Sequence, residues 1–274
     1  MAGSILWTHY CHFYCKFVST GAKDRTEHTR QLVTTVEFVS TITCGIYFIF
    51  NSVLKRNIHI QFMDKIENVD GMLRKSFKIV ADQSWIFGSY VILYITVFSY
   101  YLFSYWQMTC RGVRFPEERI FYIFYTALGI ISTVSILAFV YFVGSIFIRA
   151  FRLNQKLKET VRTPPEILQQ NFTSKSKMCL EVMKYSKIHR IISNSVGDLN
   201  EIYGFSLVLN FAHDFVLLTS LIFLMFYLSF YVGFEASQRF IINYTIWIMP
   251  CALRITLICL ACHFTKNEVN VTVF

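Results

Sequence analysis

The sequence predicts an all-α fold: a polytopic transmembrane helix bundle with long amphipathic helices on its inner side. Three observations carry this. Of 274 residues, 54% are hydrophobic and 16% are charged, against about 25% charged in an ordinary soluble domain. The shortage of charge is concentrated in long runs, each able to cross a hydrocarbon core that takes ~20 apolar residues. Those runs are continuous, which excludes the alternating ten-residue strands of a membrane barrel.

Five runs are expected to span the membrane. They cover residues 33–54 with Glu37, 85–106 and 120–148 without charge, 205–234 with His213 and Asp214, and 240–264 with Arg254. Pro116, followed by Glu117 and Glu118, suits the start of the third helix, where a missing N–H costs nothing and acidic groups meet the positive helix end. Pro250 should kink the fifth, because it removes a backbone donor and crowds the preceding turn. The expected organisation is an outer N-terminal segment (1–32, a remnant of a first span), a five-span bundle (33–264) and a cytoplasmic tail (265–274). The bundle includes inner helical loops at 55–84 and 149–204.

Loop charge sets the orientation. Seventeen Lys and Arg fall in 55–84, 149–204 and the tail, against eight on the other side. The richer side is expected to be cytoplasmic. The formal charge of +9 is thereby explained by topology, and no nucleic-acid partner is expected. The partners expected are the lipid bilayer, a small molecule and related subunits.

The two inner loops read as amphipathic helices. In the first, Phe62/Met63, Ile66, Val69, Leu73, Phe77 and Val80 recur three or four apart,. The second opens at a capping-box signature, Thr163-Pro164-Pro165-Glu166. It carries a stripe of Ile188, Ile191/Ile192, Val196, Leu199 and Ile202/Tyr203. The simplest reading is one helix that continues into the fourth span; the alternative is two helices hinged at Gly197 or Gly204.

Several patterns could carry chemistry. His9, Cys11, His12 and Cys15 could ligate zinc but lack the usual paired spacing, and read as a remnant or flank of a further helix. Cys259-Leu260-Ala261-Cys262-His263 matches the c-type haem attachment pattern, but it lies at the inner end of an apolar run and reads as packing. The eight Cys are scattered and give no disulfide framework. Asn171, Asn243 and Asn270 begin glycosylation sequons that the topology places in the cytoplasm or within a span. Adjacent His213 and Asp214 point about 100° apart on a helix. Either could partner Arg254, since charges inside a membrane face a bundle interior or a wet cavity. No nucleophile, base or metal set is clustered, so catalytic residues, metal and cofactor are all read as none, and an enzyme is not expected. A transporter would show internal symmetry and broken spans.

The outer halves of the spans are rich in aromatics. Tyr101 and Tyr105, Tyr122 and Tyr125, Tyr227 and Tyr231, and Tyr244 and Trp247 converge there, with Glu37 near the outer end of the first run. An interfacial aromatic belt and the walls of a small-molecule pocket both fit. These nine residues are the candidate ligand-binding set.

A family resemblance enters at Asp198-Leu199-Asn200-Glu201-Ile202-Tyr203-Gly204, which resembles the stretch before the fifth span of insect gustatory receptors. Met63-Asp64-Lys65-Ile66-Glu67-Asn68-Val69-Asp70 is also similar to their pattern, as is the order of short outer and long inner loops. Asn200 and Gly204 are the most distinctive positions. The resemblance covers roughly residues 33–264 and extends to the related odorant receptors. It implies plasma-membrane, multi-pass chemoreceptor subunits with seven spans, which assemble as homo- or heterotetrameric ligand-gated cation channels. Their ligand is a small organic tastant entering from the outer side. The five runs would be the second to sixth spans. The family's seventh-span signature, Thr-Tyr, five apolar residues, then Gln-Phe, is absent; Asn243-Tyr244-Thr245 has another order, and ten residues follow Phe264. The expectation is a chain missing the pore-lining span and conducting no ions alone.

Overall fold

The computed structural model describes residues 25–79, 84–111, 116–162, 172–231 and 234–271. Among these every residue is helical except Lys55, Lys78 and Ile79. The helices are α1 (Arg25–Leu54), α2 (Arg56–Phe77), α3 (Ser84–Arg111), α4 (Pro116–Arg162), α5 (Phe172–Tyr231) and α6 (Phe234–Val271). The fold is an all-α polytopic bundle.

Four expected spans fall each within one helix, α1, α3, α4 and α6, and the other, 205–234, begins in α5 and runs past its end at Tyr231. By length and composition, three stretches among the described residues qualify to cross a membrane: Thr126–Thr160, Cys179–Phe226 and Trp247–Val269. Phe38–Leu54 qualifies jointly with Arg56–Phe77, from which it is bent by 62°. Phe87–Phe103 in α3 is apolar but shorter. Seven charges on α2 set it apart from the apolar run of α1.

The bend at Lys55 keeps its hydrogen bonds, Lys55 N–H to the Asn51 carbonyl (2.9 Å) and His59 N–H to the Lys55 carbonyl (3.0 Å). α2 ends where Lys78 turns left-handed, with φ 55°. Its N–H bonds the Arg74 carbonyl, and that of Ile79 bonds Leu73. Of the predicted α2 stripe, Phe62, Ile66, Val69 and Leu73 are buried, while Met63 is exposed. Val80 and the capping box Thr163–Glu166 lie outside the described residues.

α5 is one continuous helix of 60 residues, so neither Gly197 nor Gly204 breaks it. Its buried seam runs through Tyr185, Ile188, Ile192, Ser195, Leu199, Ile202, Ser206, Asn210, His213, Leu217, Ser220 and Leu224. The steps alternate three and four residues, slipping once at Ser206. That period, near 3.5, suits long left-handed packing against neighbours. It also corrects one expected position: Ser195 is buried, and Val196 beside it is exposed.

α4 lies centrally and packs on α1, α3, α5 and α6. It continues through Arg162, fourteen residues past the expected end of its apolar run. The main core gathers at the α2 end of the bundle, where Phe62, Val69 and Leu73 meet Ile146 and Leu153 of α4 and Ile188, Ile192 and Ile202 of α5. A smaller cluster of Leu217, Leu221 and Cys251 lies towards the opposite end. Ion pairs fix α2 in place. Arg149 holds Asp70 through two hydrogen bonds of 2.8 and 2.6 Å. Lys65 reaches Asp198 at 2.6 Å, and Lys55 reaches Glu201 at 3.4 Å. The end of α6 is tied in as well, by Asn154 Nδ2 to the Glu268 carbonyl (2.8 Å) and by His189 Nε2 on the Val269 carbonyl (3.0 Å). α3 packs mainly on α4 and exposes Trp85, Phe87, Ile92, Ile95 and Phe103. Such a face suits lipid.

Candidate functional site

Beyond Gly204 the buried seam of α5 turns polar: Ser206, Asn210, His213, Asp214 and Ser220 are all buried. In a membrane bundle, polar groups turn inward because lipid offers them no hydrogen bonds. Partners from other helices meet them. Asn51 Nδ2 of α1 donates to the Ile202 carbonyl (3.0 Å) and to Ser206 Oγ (3.1 Å). Ser132 of α4 donates to Asn210 Oδ1 (2.6 Å). Ser40 of α1 pairs with His213 Nδ1 (3.0 Å).

Arg254 of α6 is the centre of this polar layer. Its Nε donates to Asp214 Oδ2 at 3.2 Å, and Nη2 forms a short bond to Asp214 Oδ1. Nη1 donates to Thr133 Oγ1 (3.0 Å) and to the Tyr101 hydroxyl (3.2 Å); Nη2 also faces Cys251 Sγ at 3.4 Å. All five guanidinium N–H groups therefore have acceptors. The proton order follows. Thr133 donates to the Gly129 carbonyl (2.8 Å), so Tyr101 O–H must donate to Thr133 Oγ1 across 3.0 Å, and both oxygens still accept from Arg254. One guanidinium thereby joins α3, α4, α5 and α6, and Asp214 cancels its charge. Of the two partners open in the sequence, Asp214 takes Arg254 and His213 turns to α1.

A cleft opens beside this ion pair. Thr41, Tyr101, Gly129, His213, Leu217, Trp247, Pro250, Cys251 and Arg254 line it, drawn from α1, α3, α4, α5 and α6. Its enclosed space is about 20 Å³, room for about one water and well below the range for ligand pockets, so a ligand would have to part the helices to enter. Tyr101 and Trp247 meet edge-on at its wall, with ring centroids 6.3 Å apart. Pro250 sits inside α6 and lines the same cleft.

Of the nine candidate residues, the structure brings together Tyr101 and Trp247. The side chains of Glu37, Tyr105, Tyr122, Tyr125, Tyr227, Tyr231 and Tyr244 lie outside the described set, as do His9, Cys11, His12 and Cys15. Tyr101 is buried, with its hydroxyl on Arg254 and Thr133, so it is not part of an interfacial belt. Thr41, Thr133, Gly129 and Cys251 were missed in the sequence. Their one signal was a small polar or glycine residue within an apolar run. Cys259 and Cys262 are free thiols exposed on α6, and His263 pairs with Asn267 (3.1 Å). No group of residues suited to hold a metal ion occurs among the described residues.

Fold and site define a multi-pass helical membrane protein with a charge-neutral polar centre beside a small aromatic cleft. The family model of the 7tm chemosensory receptors matches residues 1–274. The chain belongs to the 7tm chemosensory receptor family and is a chemoreceptor. No curated protein matches it.

Proposed function

We propose that this chain is a gustatory-receptor-type subunit of a ligand-gated cation channel, acting in the plasma membrane as a homo- or heterotetramer with related chains. Its ligand is a small organic tastant. The basic α2 end of the bundle faces the cytoplasm, and the cleft lies towards the outer side. The observation that carries this reading is the juxtaposition of Tyr101, Trp247 and Arg254 in one cleft, with Asp214 paired to Arg254 beside it. The aromatic walls supply apolar contact, and Thr41 and His213 supply polar tips. Because the site is charge-balanced, a small neutral ligand fits better than an ion. A ligand against Tyr101 or Trp247 touches the group that ties four helices together. It gates by binding one arrangement of those helices more tightly than the other. Glu37, Tyr105, Tyr122, Tyr125, Tyr227, Tyr231 and Tyr244 are proposed as further contacts around the cleft mouth.

The test is whole-cell recording of the chain co-expressed with related subunits, with surface level measured for each variant. Trp247→Ala and Thr41→Val should shift the ligand dose–response curve about tenfold or more, the equivalent of ~1.4 kcal/mol, with surface expression retained. Unchanged curves in both variants would place the ligand elsewhere.

A further inference from the structure

We propose that Cys259 and Cys262 are S-acylation sites, each carrying a long-chain fatty acyl group as a thioester at the charge-rich edge of the membrane. The inference rests on how the structure sorts the cysteines. Among those described, Cys44 and Cys251 are buried in the bundle. Cys179 is exposed near the start of α5, far along the helix from its apolar part. Of the described cysteines, only Cys259 and Cys262 combine exposure with a place in the last turns of a membrane-spanning stretch, Trp247–Val269.

Their depth follows from helix geometry. Lys266, the first basic residue after the apolar run, lies four residues beyond Cys262 and seven beyond Cys259. At 1.5 Å per residue these are about 6 and 10 Å along the axis. On the neighbouring helix, Thr265 bonds the Val143 carbonyl of α4 at 3.4 Å, six residues or about 9 Å before Arg149,. Along α6, then, Cys262 lies about one turn and Cys259 about two turns inside Lys266, near the level at which juxtamembrane cysteines are acylated.

The thiols also face outward. α6 buries Ile258 and Thr265, whereas Cys259, Leu260, Cys262 and Phe264 are exposed. The two cysteines are three positions apart, so they lie on one side of the helix, about one turn apart. An acyl chain there can lie in the leaflet beside Leu260 and Phe264.

The chemistry is a thioester exchange. The Cys thiolate, the nucleophilic form, attacks the carbonyl of a long-chain acyl-coenzyme A, presented by a membrane acyltransferase. The new Sγ–C bond forms as the C–S bond to coenzyme A breaks. Coenzyme A leaves as its thiolate and takes up the proton that the cysteine lost. No oxidant or reductant is needed.

The full chain, expressed in insect cells, is treated with N-ethylmaleimide to block free thiols. Hydroxylamine then cleaves thioesters, and a polyethylene glycol maleimide adds a countable mass to each freed thiol. The wild type should gain two hydroxylamine-dependent tags more than the Cys259→Ser/Cys262→Ser double variant, and each single variant should lose one. Cys44→Ala and Cys179→Ala should keep the wild-type number. An alkynyl fatty acid fed to the cells should label the wild type in a hydroxylamine-sensitive way, which needs no variant to fold. A wild type without hydroxylamine-dependent tags overturns the proposal, as when another subunit covers this face of α6. So does a double variant that keeps the wild-type number.

Discussion

Asp214 of α5 and Arg254 of α6 face one another inside the bundle, 1% and 5% exposed, joined through two hydrogen bonds. Two opposite charges removed from water are tolerable only when each is paired and each remaining donor is satisfied. Here Tyr101, Thr133 and Cys251 take the guanidinium protons that Asp214 leaves.

Removing one member strands the other. Asp214→Leu or Arg254→Met alone should cost about 3–5 kcal/mol, seen as a large fall in detergent melting temperature and in folded yield. The double variant should recover most of that loss, because two apolar groups of similar volume leave no charge behind. Thermal melts followed by size-exclusion fluorescence measure both. A double variant as unstable as the singles would contradict the pairing.

The three ion pairs that hold α2 should rank by burial. Arg149 is 2% exposed and holds Asp70 bidentately, so Asp70→Ala leaves a buried guanidinium short of its acceptors. It should destabilise by about 2 kcal/mol or more. Glu201 is 58% exposed, and Glu201→Ala should change stability by less than about 1 kcal/mol. Chemical denaturation in detergent compares the two variants directly.

Two glycines should respond oppositely to a methyl group. A Cβ on Gly45 would overlap Leu128 Cδ2 and lie 3.0 Å from Leu128 Cβ. Gly45 thus lets α1 and α4 approach closely, as small residues do in membranes. Gly45→Ala should cost about 1–3 kcal/mol through overpacking. At Gly197 a Cβ meets nothing within 4 Å, and Gly197→Ala should stabilise α5 by up to about 1 kcal/mol. Melting temperatures of the two variants should move in opposite directions.

Acid should loosen the α2 end. His59 rests edge-on against Tyr203 at 5.4 Å and near Phe142 at 6.1 Å, and burial lowers its pKa from the ordinary 6.5. A depressed folded value means the unfolded chain binds the proton more tightly. The stability held by neutral His59 is present above about pH 6.5. It is lost as pH falls from there through the lowered folded value. Melting temperature should drop on acidification from about pH 7 to about pH 5, and His59→Phe should flatten part of that drop. An identical slope in the variant would assign the effect to other groups.

The sequence by itself determined the fold class and the run-to-helix correspondence, because a hydrocarbon core demands long apolar helices whatever packs beside them. It also determined the amphipathic face of α2, since the 3.6-residue repeat is local information, but it left α5 open between one helix and two hinged at Gly197 or Gly204, and the structure made it one. The sequence narrowed the partner of Arg254 to two adjacent residues, about 100° apart. Only the tertiary structure decided between them, because helix rotation depends on close packing across the bundle; it gave Asp214 to Arg254 and His213 to Ser40. The same packing turned Val196 outward and Ser195 inward, a difference of one residue that periodicity cannot discriminate. The cleft was the least legible part. Thr41, Gly129, Thr133 and Cys251 come from three helices, and each is an unremarked small residue in its own run. Their shared role exists only because α1, α4 and α6 bring them within reach of one guanidinium and two aromatic rings.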